Sequence, residues 1–318
     1  MKSIILILLF LTNVTFAGGL TLEEQHEKNQ VRGMTSENAT NYPIILHHGL
    51  FGFRKLLFIE YFYKIPKILR KAGFDVYSTE VYAFGDLKQR SLELGDQIDR
   101  ILKMTGKDKV NIIAHSMGGL DSRMLISRLG YEDKIASLSM VGTPNRGSYL
   151  ADVVTRFFDP ATDNKKNEKE AEQIEALTKV MGELFVSTEP NKALLENTLR
   201  AVGDLSQRYL RDDFNPQTPD SPKVYYQSWA GKTARLMKVG RKDIVDAILL
   251  IPFKILTKHS GENDGMVSIE SAKWGNFRGI IEADHLDMIG FFMGKTSKYF
   301  DHKEFYTHMA KELAEMGF

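Results

Sequence analysis

Ser116, Asp264 and His285 are the residues of this chain whose types and order best suit chemistry. Ser116 lies in Val110-Asn-Ile-Ile-Ala-His-Ser-Met-Gly-Gly119, where an apolar run ends in Ala-His-Ser-Met-Gly and two glycines open a helical pattern. That layout reads as a strand, a sharp reversal exposing a hydroxyl, and a helix. Small residues two before and two after the serine let strand and helix approach closely. Position 114 is Ala where Gly is usual, an excess of one methyl group. A serine held this way, given a base, is set up to attack an acyl carbonyl. A pattern this short also arises by chance, as a surface serine in a glycine-rich turn, so its weight depends on the rest of the chain.

In Tyr42-Pro-Ile-Ile-Leu-His-His-Gly-Leu-Phe-Gly-Phe53, Ile44, Ile45 and Leu46 form a short buried-strand run that His48-Gly49 ends. A loop there can lend one backbone N–H to a developing oxyanion, and the residue after the nucleophile lends another. The donors would be the amides of Leu50 and Met117, and losing one such donor costs on the order of 3 kcal/mol. The imidazoles of His47 and His48 are expected to pack locally at the strand end. Asp264 lies in Gly261-Glu-Asn-Asp-Gly-Met-Val267, a polar turn suited to presenting a carboxylate. Read alone, Asn-Asp-Gly is an ordinary turn. His285 lies in the polar break Ala283-Asp-His-Leu-Asp287. The other histidines fit less well: His26 is near the start, His47, His48 and His115 precede the serine, and His259 precedes the acid. His302 and His308 follow a charged terminal pattern and read as solvated.

These side chains need a scaffold. Strand-like runs fall at Ile44–Leu46, Val76–Val81, Val110–Ala114, Ile135–Val141, Val224–Ser228 and Gly279–Glu282. Helical patterns fall at Tyr61–Ala72, Leu92–Thr105, Gly119–Leu129 and Glu304–Met316. The alternation predicts an α/β fold, a mostly parallel sheet with helices on both faces. From about Asp152 to Asp213 no strand pattern occurs. Within it Ile174, Leu177, Met181, Leu184 and Phe185 share one helical face, and Glu172, Glu175, Lys179 and Glu183 the other. This inserted amphipathic helix is either a lid over an acyl groove or a helix packed permanently on the core. Ile244–Leu256 is apolar but broken by Asp246, Pro252 and Lys254, and reads as a buried helix beside the site.

Met1-Lys2, the short apolar run Ile4 to Leu11, and Thr15-Phe16-Ala17 read as a signal peptide over 1–17, so export to the periplasm or beyond is expected. Residues 18–318 are expected to form a single domain and a monomer. A net charge of +1 over 318 residues leaves no electrostatic case for nucleic acid. The chain has no cysteine and no internal repeat.

Ordered matches run almost end to end after the leader. They include Tyr42-Pro-Ile-Ile-Leu, His48-Gly49-Leu50-Phe51-Gly52-Phe53, Tyr61-Phe62-Tyr63, Thr79-Glu80-Val81 and the Ser116 motif. Val141-Gly142-Thr143-Pro144, Asn263-Asp264-Gly265 and His285-Leu286-Asp287 follow. On these the chain resembles the secreted bacterial triacylglycerol lipases of the Pseudomonas and Burkholderia type. The resemblance implies an α/β-hydrolase fold, a helical lid within about 152–213, and an esterase acting on long-chain glycerides at an oil–water or membrane interface. It implies a Ser116–Asp264–His285 triad that needs no cofactor for catalysis. It also implies a structural calcium ion held by Asp243 and Asp287, and, as in some relatives, a dedicated folding chaperone. Two departures stand out: Phe291 occupies the place of a glutamine near the calcium, with Asp246 as a stand-in ligand, and a disulfide found in many relatives is absent. An esterase for soluble esters, a polyester depolymerase and an acyltransferase on the same triad remain open at this point. So, outside enzymes, do a binding protein that kept the fold and a structural surface protein.

Overall fold

Strands sandwiched between two helical layers are buried on both faces and read as largely apolar runs. The central strands of this chain are buried, with Asn111 bonded to Ser137 and Gln227 to Ser139 among their polar exceptions. The computed structural model describes residues 19–30, 39–52, 55–56, 59–158, 192–233 and 244–318. Six strands form one sheet: β1 (Ile44–His47), β2 (Val76–Ser78), β3 (Val110–His115), β4 (Ile135–Val141), β5 (Tyr225–Gly231) and β6 (Asn276–Ile281). They lie in the order β2-β1-β3-β4-β5-β6, every pair parallel. Ile44 and Leu46 bury on one face against α2 (Ile65–Lys71) and α8 (His302–Glu315), meeting Leu69, Met309 and Leu313. Ile45 and Ile112 bury on the other against α3 (Leu87–Thr105) and α4 (Met117–Arg128), meeting Leu94, Ile98 and Leu125. Each such side chain taken fully from water contributes about 2 kcal/mol. This is the α/β fold that the alternation predicts.

The chain runs from β1 outward to β2, then crosses back over β1 to form β3. Two loops leave the sheet in opposite directions at that reversal and open a crevice at the carboxyl ends of β1 and β3, where ligands of open α/β sheets bind. The loops carrying Gly49 and Ser116 both start there.

Several boundaries differ from expectation. β2 stops at Ser78, because the Val81 N–H donates to the His48 ring (3.1 Å) instead of to a strand. α3 begins at Leu87, ahead of Leu92, with Asp86 as its cap: Oδ1 accepts from the Gln89 N–H at 2.9 Å. α2 begins at Ile65, after Lys64 takes a left-handed φ of 59°. Among the helices with no counterpart in the expected helical patterns are two between β4 and β5, described below, and α1 (Leu22–Gln30). α1 covers the outer edge of β2: the Gln25 amide accepts from Ser78 N–H (2.8 Å) and donates to Ser78 O (3.1 Å). Asn29 donates to Val76 O (3.2 Å). Such cover keeps an open strand from pairing with another chain.

Between β4 and β5 lie α5 (Tyr149–Phe158), α6 (Lys192–Gly203) and short helical turns from Gln207 to Gln217. The expected helix around Ile174–Phe185 and the leader Met1–Ala17 lie outside the described residues. The apolar run after β5 is helical, α7 (Ile244–Ser260). Among the described residues no helix is long and apolar enough to cross a membrane.

Candidate active site

β3 delivers Ser116 to the crevice. The backbone turns there with φ 57° and ψ −133°, outside the regions open to ordinary residues, and α4 starts at the next residue. The strain is held by three bonds: Ser116 N–H to Val141 O (3.0 Å), and Gly119 N–H (3.1 Å) and Thr143 Oγ1 (2.9 Å) to Ser116 O. Gly118 is needed because a Cβ there would lie 2.7 Å from His48 O. Ala114 fits, fully buried.

Asp264 and His285 come from the loops after α7 and β6. The Asp264 Oδ1 accepts from the Met266 and Val267 N–H groups at 2.8 and 2.7 Å, fixing the carboxylate in its turn. Its Oδ2 lies 2.8 Å from His285 Nδ1, and the Asp264 carbonyl accepts from the His285 N–H at 2.9 Å. His285 Nε2 lies 2.9 Å from Ser116 Oγ. Asp264 and His285 are buried, and Ser116 is partly exposed. With Nδ1–H donating to the carboxylate, Nε2 is left to accept from the serine hydroxyl.

The loop after β1 is bonded from every side. His48 O accepts from Arg90 Nη2 (2.8 Å), and Gly49 N–H donates to Tyr61 Oη (3.0 Å). Gly49 O accepts from His48 Nδ1–H (2.8 Å) and Gly52 N–H (3.2 Å), and Phe51 N–H donates to Ala83 O (2.9 Å). A planar peptide anchored at the Gly49 oxygen turns its N–H, that of Leu50, the other way. Among the described residues the Leu50 N–H makes no hydrogen bond. Met117 is the first residue of α4, so its N–H has no intrahelical acceptor. Apolar side chains of Leu50, Leu150, Val154 and Ile255 pack together beside this loop, and Leu249, Met266 and Leu286 form a second cluster.

The histidines at the strand end do more than pack. His48 orients the Gly49–Leu50 peptide. His47 lies between Thr79 Oγ1 (Nδ1, 2.9 Å) and Asp121 Oδ2 (Nε2, 3.0 Å). Asp121 is also gripped by Arg90 through Nε (2.9 Å) and Nη2 (2.7 Å). The sequence offered no signal for Arg90 or Asp121, which meet their partners across a long stretch of chain, and marked Tyr61 only as part of the matched segment Tyr61-Phe62-Tyr63, without a role. His302, expected in solvent, is buried with Nε2 3.1 Å from Tyr63 O. His308 is exposed.

A family model for the alpha/beta hydrolase fold matches residues 42–233. Triacylglycerol lipase of Pseudomonas fragi is 31% identical over 87% of this chain and 98% of its own. Triacylglycerol lipase 2 of Saccharomyces cerevisiae is 31% identical over 84% of this chain and 77% of its own. The chain belongs to the α/β-hydrolase family, among its lipases. In fold it is also similar to the Staphylococcus hyicus lipase, with a TM-score of 0.62 at 17% identity, covering 88% of this chain and 97% of that one.

The calcium ion implied by the lipase resemblance is only partly represented. Asp243 lies outside the described residues, as does the side chain of Asp246. The Asp287 Oδ2 accepts from the Ser297 N–H at 2.9 Å. The Phe291 ring packs edge-on against Tyr61 and Phe292 and brings no oxygen. Among the described residues no three acidic or histidine side chains are grouped so as to hold a metal ion. The Asp287 carboxylate by itself does not make the six- to eight-oxygen shell that calcium takes.

Proposed function

We propose that this chain is an exported serine ester hydrolase that cleaves long-chain acyl esters, triacylglycerols above all. One observation carries the reading: the relay from Ser116 Oγ to His285 Nε2 (2.9 Å) and from His285 Nδ1 to Asp264 Oδ2 (2.8 Å). It opens into a crevice beside the Leu50 and Met117 amides. In the first step His285 takes the Ser116 proton as the oxygen bonds to the ester carbonyl carbon. Negative charge then moves to the carbonyl oxygen, where the Leu50 and Met117 amides stabilise it. His285 returns its proton to the departing alcohol, leaving an acyl group on Ser116. Water, deprotonated by His285, attacks that acyl carbon, and the acid leaves as His285 returns the proton to Ser116 Oγ. Asp264 holds the imidazole in the required tautomer and balances its transient charge. The apolar clusters around Leu50 and Met266 suit a long acyl chain, and the names of the curated relatives support glycerides. The leader-like start supports export.

Ser116→Ala should keep the fold and lose on the order of 10⁵-fold or more in turnover. A variant with near-native turnover would end the assignment. Rates on emulsified triglycerides against soluble esters decide the substrate: a jump once an emulsion forms supports a lipase, and equal rates on soluble esters support an esterase. A structural calcium held through Asp287 is a further proposal. It requires a lower melting temperature in excess chelator, and an unchanged melting curve removes it.

A further inference from the structure

We propose that Tyr61, held in turn by His115, is a positioning residue that sets the oxyanion loop against Ser116. The inference rests on the proposed role of Ser116 and adds two residues that the triad does not include. Gly49 is the point of closest approach between loop and nucleophile: a Cβ there would lie 2.6 Å from Ser116 Cβ and 3.1 Å from its Oγ. Whatever fixes Gly49 therefore fixes the distance from the next amide, that of Leu50, to the reacting carbonyl. Tyr61 Oη accepts from the Gly49 N–H at 3.0 Å and lies 2.8 Å from His115 Nδ1. His115 directly precedes Ser116 on β3. The phenol thus clamps the loop to the strand that carries the nucleophile.

The hydrogen inventory gives the clamp a direction. Since the amide supplies a hydrogen to the phenol oxygen, the phenol hydrogen is left for His115 Nδ1, and the neutral imidazole then carries its own on Nε2. Burial favours the neutral form of both, raising the Tyr61 pKa and pushing that of His115 well down. Neither therefore titrates while His285 gains and loses its proton. The His115 Nε2 is buried and makes no hydrogen bond of normal geometry among the described residues, its polar neighbour being the His285 main chain. An unsatisfied buried N–H costs stability that an apolar residue in the same place would not. The imidazole is accounted for by its other nitrogen, the acceptor for Tyr61. Its ring also lies against His285, centroids 4.6 Å apart, so it borders both halves of the site.

Small displacements of a preorganised donor cost rate rather than affinity. Tyr61→Phe keeps the ring and removes only the clamp. On a soluble p-nitrophenyl ester it is expected to lower kcat roughly 10-fold with KM within about 2-fold. His115→Leu should do the same. His115→Asn, which keeps an acceptor close to the Nδ1 position, should hold kcat within about 3-fold of wild type. The Tyr61→Phe/His115→Leu double variant should be no slower than either single, because both break one clamp. A melting curve accompanies each protein, and if Tyr61→Phe does not fold, the His115 pair carries the same comparison. Wild-type kcat in Tyr61→Phe, no rescue by Asn, or losses that multiply in the double variant would overturn the inference. Labelling of wild type by an organophosphonate at Ser116 separates the two levels. Failure to label sinks the functional reading, whereas labelling of wild type with an unimpaired Tyr61→Phe sinks only the clamp.

Discussion

The His47–Asp121 and His285–Asp264 pairs join the same two side chains at similar distances, 3.0 and 2.8 Å, yet they suit opposite tasks. The first is fully buried, and Arg90 also grips its carboxylate, at 2.7 Å. Arginine and aspartate cancel, so a proton on His47 would add an unbalanced charge to the interior. Burial accordingly pushes the His47 pKa down against the pull of Asp121. Its other nitrogen faces the Thr79 hydroxyl, which closes the network. In the second pair no arginine among the described residues shares the carboxylate. Main-chain N–H groups of Met266 and Val267 orient Asp264 without cancelling its charge. The other nitrogen of His285 faces a serine at the crevice. A histidine–aspartate pair becomes a base or a brace according to the third charge beside it and the third group on the ring.

The largest expected effect breaks the His285 pair. Asp264→Asn replaces an acceptor with an amide that can donate to Nδ1 and favour the wrong tautomer. On the proposed mechanism kcat falls on the order of 10⁴-fold, while the melting temperature moves by only a few degrees. Steady-state kinetics beside a thermal melt tests this, and a variant keeping a tenth of wild-type kcat would contradict it. The reverse pattern is expected at the other pair. Asp121→Ala leaves the Arg90 guanidinium buried without its carboxylate, which costs roughly 3–5 kcal/mol of folding stability. A urea unfolding curve with an unshifted midpoint would show that the brace is not needed. Because Arg90 also holds His48 O, some activity is lost too, but less than in Asp264→Asn.

The two pairs were unequally legible in the sequence. Ser116 could be read because a strand, a reversal and a helix each leave a local pattern, and Asp264 and His285 because they follow it in a recognisable order in polar breaks. Asp121 could not be read: it sits mid-helix in α4 and meets His47 only when β1 and β3 pair. The first turn of α3 was missed for a related reason. Its inner face buries Arg90 and Ser91 beside Leu87, so the apolar spacing that marks a helix starts late. α1 carries a single buried apolar residue, Leu22, and docks through the Gln25 and Asn29 amides, which hydrophobic periodicity cannot detect. His302 was misjudged because its charged neighbours in sequence say nothing of the Tyr63 carbonyl waiting inside. The fold was legible wherever apolar burial builds it, and illegible wherever buried polar groups satisfy one another across distant segments.

The smallest of these effects concerns pH and tests whether braces such as His47 must stay neutral. Burial lowers the pKa of His47, of His115 and of His302 in the fold. In the unfolded chain each returns to near 6.5, so below that value unfolding takes up protons that the fold refuses, and stability falls with pH. Three buried carboxyls act the other way. Burial pushes Asp204 up to about 7 and raises Asp75 and Asp152 as well, so the folded chain keeps protons there that the unfolded chain has released. Asp204 keeps its proton in the same range in which the unfolded imidazoles charge, so Asp204→Asn removes that opposing contribution and leaves the histidines to set the slope. Urea midpoints of Asp204→Asn at pH 7.5, 6.5 and 5.5 should therefore decline in that order. A variant most stable at pH 5.5 would mean that His47 braces the fold while charged. The contrast with His285 would then rest on the third group at the ring alone, and no longer on Arg90.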